Sequence, residues 1–291
     1  MIGLASRRVL VTGATGRIGS VVTSLLNDLG ARVTALSVNV NPELKADRIL
    51  QGDTTSEADV ADALEGIDAV VHLAALAHRD IDTPYSVYST NVVSTFNVLA
   101  QAGARGITRA VVASSINAYG VPMNHHEVTP AYFPLDSHMP VDIDDWYSLS
   151  KLNGEQIAAM SWRHWGINVI SLRFPRVDSD AQLRAASERL TANPVQGMRE
   201  GWSYLDSRDA ARALVSALTA TVTGAHAILL AADKTMVPYS TDELLRVFAP
   251  GTPRLRPFKG REVPIDLTTA RILLGFRAEH ELNMPTLPLD R

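Results

Sequence analysis

Short apolar runs alternate with helix-spaced segments along the first 220 residues of the chain. Strands are expected where aliphatic residues follow one another without interruption, and helices where apolar residues recur every three or four positions. The predicted strands span residues 8–13, 31–37, 48–53, 68–75, 109–115 and 168–174. The predicted helices span residues 17–30, 57–66, 86–106, 147–165 and 207–220.

The apolar strands show little polar alternation, which is typical of a parallel sheet covered on both faces. The alternation of strand and helix therefore predicts an α/β fold with a doubly wound parallel sheet of the Rossmann type. Beyond residue 174 prolines become more frequent and the strands shorter, which predicts a small, irregular C-terminal lobe. We expect residues 1–174 with about 205–235 to form the sheet domain, and about 175–204 with 236–291 to form this second lobe.

A glycine-rich loop connects the first predicted strand to the first predicted helix. The stretch TGATGRIG places glycines three residues apart, which permits a tight turn and close approach of backbone to a pyrophosphate at the helix N-terminus. The position of this loop within the first strand–helix–strand unit favours dinucleotide binding over a structural turn. The residues expected to bind the dinucleotide here are Gly13, Thr15, Gly16, Arg17, Ile18 and Gly19. The second lobe would then bind the substrate.

The choice between NAD and NADP depends on the end of the second predicted strand. A carboxylate that binds the adenosine ribose usually stands there, but this chain has Ser37, so a 2′-phosphate would meet no repulsion. Arg17 could reach such a phosphate, which gives a slight preference for NADP. Alternatively, Arg17 is solvent-exposed and Ser37 hydrogen-bonds the ribose of NAD. Asp53 is placed either to accept from the adenine amino group or to begin a helix.

Composition narrows the functional classes further. The 291 residues carry a net charge of −4, and the basic residues form no run, so a nucleic-acid partner is not expected. The absence of cysteine excludes disulfides and thiolate chemistry. We find no signal-peptide pattern and no apolar stretch of membrane-spanning length, so we expect a cytoplasmic protein without a membrane partner.

The stretch DDWYSLSK places Tyr147 and Lys151 four residues apart at the start of a predicted helix. Residues at this spacing share one face of a helix. They form either an exposed surface pair or an acid–base pair, in which the ammonium group lowers the pKa of the phenol.

Several of these motifs occur together in an order that resembles the extended short-chain dehydrogenases/reductases, the NAD-dependent epimerase/dehydratase family. The resemblance spans roughly residues 7–235 and rests on TGATGRIG, HLAA (72–75), TNVVSTFNVLAQA (90–102), VVASSINAYG (111–120), YSLSK (147–151) and SLRF (171–174). It implies a Rossmann-fold enzyme that uses NAD or NADP to transfer a hydride.

The resemblance also implies residue roles. Tyr147 would be the general acid/base, Lys151 would lower its pKa and hold the nicotinamide ribose, and Ser115 rather than Ser114 would bind the reacting oxygen. His72 would be a packed core histidine. The further cofactor-binding residues implied are Leu73, Ala74, Ala75, Asn91, Phe174 and Pro175, although Asn91 could instead tie its helix to the sheet. A homodimer formed by the two helices at 86–104 and 147–165 is expected. Its candidate apolar residues, which could equally be buried in the core, are Val92, Phe96, Leu99, Ile157, Met160 and Trp165.

The type of reaction is less well defined. Ile116 and Asn117 occupy the positions where sugar dehydratases carry an Asp-Glu pair, so dehydration is not expected. The stretches RFPRV and GWSYLDSRD differ from those of nucleotide-sugar epimerases. An oxidoreductase acting on a small polar, possibly sugar-like substrate is therefore the first hypothesis, and an epimerase with a retained NAD the alternative. Asn117 and Arg176 are candidate substrate-binding residues, but Arg176 could instead pair with Asp178 or Asp180.

The loop between Ser115 and Tyr147 carries three histidines and several aspartates. His125, His126 and His138 lack the spacing and helical context typical of a metal site, and no metal is expected. The aspartates at 142, 144 and 145 are expected to cap the helix that carries Tyr147.

Overall fold

The computed structural model describes residues 3–289 of the chain. A seven-stranded sheet lies at its centre, in the order β3-β2-β1-β4-β5-β6-β9, and every neighbouring pair is parallel. Its strands are β1 (Arg8–Thr12), β2 (Arg32–Ser37), β3 (Arg48–Gln51), β4 (Ala69–His72), β5 (Arg109–Ser115), β6 (Asn168–Phe174) and β9 (Ala225–Leu229). The predicted doubly wound parallel sheet is confirmed.

Helices cover both faces of this sheet and produce two separate apolar cores. The helices on one face are α1 (Arg17–Asp28) and α6 (Ser207–Thr219). The opposite face is covered by α2 (Glu57–Ala63), α3 (Pro84–Ala104) and α4 (Trp146–Trp165). Alternate residues of one strand enter different cores: Val9 and Val11 pack on the first face, and Leu10 packs on the second. This alternation explains why the strand sequences are continuously apolar.

The second lobe is built from short elements. They are β7 (Arg176–Asp178), α5 (Asp180–Ala192), β8 (Tyr204–Asp206) and α7 (Thr241–Phe248), and β7 pairs with β8 in a small parallel sheet. The helix α8 (Thr268–Leu274) lies in the range that the sequence assigned to the second lobe, but its Ala270 and Leu274 pack in the sheet core with α1 and α6. Short 3-10 helices occupy Ile116–Tyr119 and Pro194–Glu200.

The segment between β5 and α4 packs on the second lobe, although the sequence grouped it with the sheet domain. Phe133 and Leu135 are fully buried in a core that also contains Trp202 and Val237. The Phe133 N–H donates to Pro253 O at 2.9 Å, and the Leu135 N–H donates to Pro264 O at 2.9 Å. The segment therefore leaves the sheet, joins the second lobe and returns.

No helix among residues 3–289 combines the length and apolar character that crossing a bilayer requires.

Candidate active site

Four strand ends meet at one edge of the sheet and bring the predicted site residues together. β1, β4, β5 and β6 are neighbours, so the segments that follow them lie side by side. These segments begin at Gly13, Leu73, Ile116 and Pro175. The helix that follows β1 covers one face of the sheet, and the helix that follows β4 covers the other. Such a switch point forms a ligand-binding crevice in open α/β sheets.

The glycine loop lies at this crevice and is shaped by close backbone contacts. Gly13 has a φ of +64°, and a Cβ there would lie 2.8 Å from Ala74 N. A Cβ on Gly19 would lie 2.1 Å from Gly13 O. Within residues 3–289 no side chain caps α1, which follows Gly16, so the first N–H groups of this 12-residue helix are available to a ligand. A helix start of this kind fits an anionic pyrophosphate.

Ser37 and Asp53 lie beside the glycine loop at neighbouring strand ends. The Ser37 hydroxyl accepts a hydrogen bond from Thr15 N at 3.1 Å, which connects the end of β2 to the loop. The Asp53 side chain is exposed and accepts from Thr55 N at 2.8 Å, so it stabilises a turn before α2. Its second carboxylate oxygen remains available to a ligand.

Arg17 points toward the second lobe. Its guanidinium donates to Val177 O at 3.0 Å and pairs with Asp178 at 3.0 Å. The buried Asp178 carboxylate also pairs with Arg176 at 3.2 Å. For Arg176 the structure therefore shows the ion pair that the sequence left as an alternative. Asp178 connects the glycine loop to β7.

Helix α4 presents Tyr147 and Lys151 toward the crevice, as their spacing predicts. The helix begins after Asp145, whose carboxylate accepts from Ser148 N at 2.8 Å as an N-cap. The Lys151 ammonium lies 5.7 Å from the centre of the Tyr147 ring and donates to Ala113 O at 2.9 Å. Both side chains are largely shielded from solvent, so the exposed surface pair is not what the structure shows.

Burial dominates the protonation of both groups. It raises the pKa of Tyr147 to about 12, while a hydrogen bond with Ser115 opposes this shift and the charge of Asp145 adds to it. Burial also lowers the pKa of Lys151 to about 8, against the opposing effect of Glu155. The cost of burying a phenolate therefore outweighs the effect of the Ser115 hydrogen bond, and the pKa of Tyr147 lies above its ordinary value. That Lys151 lowers the phenol pKa stays a prediction.

Ser115 ends β5 and lies next to Tyr147. Its hydroxyl oxygen accepts two hydrogen bonds from Asn117, from the backbone N at 3.1 Å and from Nδ2 at 3.0 Å. With these acceptor positions used, the Ser115 hydroxyl proton is free to turn toward an oxygen near Tyr147. Asn117 Oδ1 is buried and has no hydrogen-bond partner among the described residues. Asn117 therefore orients Ser115.

Ser114 points into a buried ion pair below the site. Its hydroxyl donates to Glu155 at 2.6 Å, and Arg173 donates twice to the same carboxylate at 2.8 Å. Glu155 follows Lys151 by one helical turn and helps keep it positively charged. Ser114 is thus occupied, which supports the choice of Ser115.

Asn91 and His72 make contacts that hold the scaffold. The Asn91 amide donates to Leu76 O at 3.1 Å and Ser150 Oγ at 3.0 Å, and its oxygen accepts from Leu76 N at 2.8 Å. Asn91 thus ties α3 to neighbouring elements. The buried His72 ring lies 2.8 Å from Thr12 Oγ1 and 3.2 Å from Thr95 Oγ1, and burial lowers its pKa to about 3.

The remaining residues predicted to bind the cofactor lie at the same sheet edge. Leu73, Ala74 and Ala75 follow β4 and are half-buried, and Phe174 and Pro175 lie at the end of β6 and are buried. The Thr12 hydroxyl accepts from the N–H groups of Leu73 at 3.2 Å and Ala74 at 3.3 Å. These bonds fix the segment after β4 against the glycine loop.

The sequence did not reveal a cluster of His125, His126 and Asp144. Potential ligand atoms of the three side chains all lie within 4.8 Å of one another. Of the three aspartates expected to cap α4, Asp145 does so, whereas Asp144 faces these histidines. Only the folded loop brings residues 125 and 144 together, so no local sequence signal could have found the cluster.

Comparison with known proteins identifies relatives of the chain. The family model described as the NAD dependent epimerase/dehydratase family matches residues 9–231. Uronate dehydrogenase from Pseudomonas putida is 28% identical over 171 residues, covering 57% of this chain and 60% of that protein. UDP-glucose 4-epimerase from Corynebacterium glutamicum is 27% identical over 173 residues, covering 57% of this chain and 50% of that protein. The matches thus span less than two thirds of either relative.

A solved structure, MoeE5 in complex with UDP-glucose and NAD, superposes with a TM-score of 0.69 at 25% identity, covering 94% of both chains. The match to the family model includes the glycine loop, β5, the start of α4 and most of the sheet. The chain therefore belongs to the NAD-dependent epimerase/dehydratase family.

Proposed function

We propose that the chain is an NAD(P)-dependent oxidoreductase that transfers a hydride to or from a hydroxyl or carbonyl carbon of a small, sugar-like substrate. The proposal rests on one observation: Ser115, Tyr147 and Lys151 lie together, next to a glycine loop shaped for a dinucleotide. Tyr147 would be the acid/base, Ser115 the donor to the reacting oxygen, and Lys151 the cation that positions the ribose.

The protonation of Tyr147 defines its proposed role. A bound nicotinamide supplies or accepts the hydride. In the reductive direction the substrate oxygen gains negative charge, and Tyr147 donates its proton to this oxygen. With a pKa of about 12 the phenol is protonated at neutral pH and ready to act as an acid. In the oxidative direction Tyr147 must accept the substrate proton, and nearby positive charge would then favour the phenolate.

Several residues would hold the dinucleotide. The first N–H groups of α1 would bind the pyrophosphate, and Asp53 and Ser37 lie where the adenosine would bind. Because Arg17 is engaged by Asp178 and Val177 O, it would have to leave both to reach a 2′-phosphate. This contact favours NAD. NADP is the alternative, because Ser37 stands where a carboxylate would repel the 2′-phosphate.

The substrate would lie between Tyr147 and the second lobe. Arg176 keeps 44% of its side chain exposed despite its ion pair. Glu200 lies near enough for the charge of Arg176 to counteract the rise that burial causes in the Glu200 pKa. Charged groups of this kind suit a polar substrate, and Arg176 could bind a carboxylate bidentately. A free uronic acid or related sugar fits this chemistry, consistent with the uronate dehydrogenase relative.

A nucleotide-sugar epimerase is the second candidate, because UDP-glucose 4-epimerase is among the relatives. An epimerase returns the hydride to its substrate and need not release its cofactor. The test is to denature the purified protein and to quantify any released nicotinamide by chromatography. Protein that carries no cofactor, binds added NAD and forms NADH with an aldose or uronic acid would support the oxidoreductase. Stoichiometric retained NAD would favour the epimerase, and failure to bind either nucleotide would contradict both.

A homodimer formed through α3 and α4 also remains a proposal. It is supported by apolar side chains that α3 and α4 expose, among them Val93, Phe96 and Leu149. Two residues predicted for this interface instead serve the fold: Leu99 is fully buried, and Trp165 packs against Gly103, where a Cβ would lie 2.7 Å away. The cytoplasmic location is likewise a prediction from the sequence.

A further inference from the structure

His125, His126 and Asp144 converge outside the proposed active site. His125 Nδ1 contacts Asp144 Oδ2, and His126 Nε2 lies 3.8 Å from the same oxygen. The two imidazole rings are adjacent, with centroids 4.0 Å apart. Two imidazoles and a carboxylate thus face one small volume, in which each side chain offers a ligand atom.

The carboxylate of Asp144 has no cationic side chain other than these histidines as an ion-pair partner among the described residues. Its side chain is only 14% exposed, and its Oδ1 atom is buried without a hydrogen-bond partner among the described residues. The Oδ2 atom, which faces both imidazoles, also accepts from His125 N at 3.1 Å. Burying a carboxylate charge is costly, so a cation bound at Oδ2 would compensate that charge and offset part of the penalty.

Two arginines hold the backbone around the histidines in place. Arg199 donates to Asn124 O at 2.5 Å and to His126 O at 2.7 Å, while Arg79 donates to Met123 O. Asn124 Nδ2 donates to Asp142 O at 2.9 Å. These bonds fix the backbone, whereas the two histidine side chains remain 64% and 67% exposed and are free to adjust.

We propose that His125, His126 and Asp144 form a binding site for one divalent transition-metal ion, with Zn²⁺ as the best match. Imidazole nitrogen and carboxylate oxygen bind Zn²⁺ at about 2.0–2.2 Å, which places neighbouring ligand atoms of a tetrahedral site about 3.3 Å apart. The 3.8 Å separation at His126 is close to this value, and the His125 contact would lengthen. Water would complete the coordination. Mg²⁺ and Ca²⁺ prefer oxygen ligands and suit the site poorly.

The ion would connect two parts of the chain that are 18 or more residues apart. His125 and His126 lie in the loop that leads to the second lobe, and Asp144 immediately precedes the N-cap of α4. Bound metal would fix the loop to the helix start, three residues before Tyr147. Because the ion would bind only the folded arrangement, it would stabilise the native state.

Zinc binding is tested by titrating tag-free, chelator-treated full-length protein with ZnCl₂ in a calorimeter, and by thermal melts with and without Zn²⁺. We expect one Zn²⁺ per chain and a higher melting temperature in its presence. Replacing a direct ligand in His126→Ala or Asp144→Asn should weaken binding by at least about tenfold, since loss of even an outer-shell partner has that effect. The visible spectrum of bound Co²⁺ would report the coordination geometry.

His138→Ala is the matched control, because His138 is an exposed histidine of the same loop outside the cluster. It should bind Zn²⁺ like the wild type. His126→Ala changes an exposed side chain, so it should fold even if Asp144→Asn does not. The proposal is wrong if the wild type does not bind Zn²⁺, if the His126 and Asp144 variants bind it equally well, or if the His138 variant loses it.

Discussion

The cofactor side and the substrate side of the crevice are held together by different kinds of contact. On the cofactor side, the glycine loop fits against its neighbours through backbone atoms, so closely that a Cβ on Gly19 would lie 2.1 Å from Gly13 O. On the substrate side, backbone hydrogen bonds such as that from Phe133 N to Pro253 O are supplemented by single arginines that bind distant backbone carbonyls. The buried Arg261 donates to Thr235 O, Val237 O and Met284 O at 2.6–3.0 Å.

This difference explains which amino-acid substitutions each side can accept. A backbone fit depends on a few consecutive small residues and specifies a binding surface that is the same for any substrate. A lobe that relies in addition on individual side chains depends on many separated positions, each of which can change the shape of the site. Under the proposed function, the constant part of the reaction, hydride transfer with the dinucleotide, would lie on the side with the local motif, and the variable part on the other.

The largest effect should come from Tyr147→Phe, which removes the proposed acid/base but keeps the ring. We expect kcat to fall roughly 10²- to 10⁴-fold, because a positioned proton donor contributes about that much. The affinity for NAD, measured by fluorescence titration, should change little. This result would show that Tyr147 is needed for proton transfer and not for cofactor binding. Full activity in the variant would refute the assignment.

Arg261→Ala should be the next largest change, and it tests whether single arginines hold the second lobe. The substitution takes the guanidinium donor from three backbone carbonyls, of which Val237 O keeps a bond from Thr235 Oγ1. The unfolding free energy should therefore fall by about 3 kcal/mol. Arg256→Ala is the control, because Arg256 forms an exposed pair with Glu262 and should contribute less than about 1 kcal/mol. Urea denaturation measures both, and equal losses would contradict the distinction.

Gly19→Ala tests the backbone fit on the cofactor side. The added methyl group must displace Gly13 O, and strain of about 1–3 kcal/mol should weaken dinucleotide binding roughly ten- to hundredfold. Gly16→Ala is the matched control, since a Cβ there would lie 3.1 Å from the same oxygen and requires a smaller shift. Unchanged affinity in the Gly19 variant would show that the loop adapts.

The smallest effect is a change in the pH dependence of stability, and it concerns His72. This residue forms side-chain hydrogen bonds on the cofactor side, where most other contacts are made by the backbone. Its pKa is about 3 in the folded protein and near 6.5 when unfolded. The neutral form is therefore favoured by folding, and stability is lost as the pH falls from 6.5 toward 3. The loss should be about 1.4 kcal/mol per pH unit.

His72→Gln should reduce this slope in denaturation experiments between pH 6.5 and 5, because glutamine does not titrate. The exposed His138→Gln should keep the slope of the wild type. Equal slopes in the wild type and the His72 variant would mean that His72 protonates without opening the structure.

The sequence predicted the regions governed by local geometry. The bounds of β5 and β6 match the prediction because their continuous apolar runs and flanking residues define them locally. The sequence could not show three other contacts: the ion pair of Arg17 with Asp178, the β-bridge of Phe133 with Arg254, and the approach of Asp144 to His125. Each of these contacts joins residues brought together only by the complete fold, and no periodic pattern marks them.

The path of residues 116–145 through the second lobe also limits how such a protein can be engineered or diversified. Because Phe133 and Leu135 belong to that lobe's core, the lobe is assembled from separate stretches of chain and is not a detachable module. Exchanging only the C-terminal third with that of a relative would leave mismatched core halves. A new substrate range would require coordinated changes in the stretch between Ser115 and Tyr147 as well.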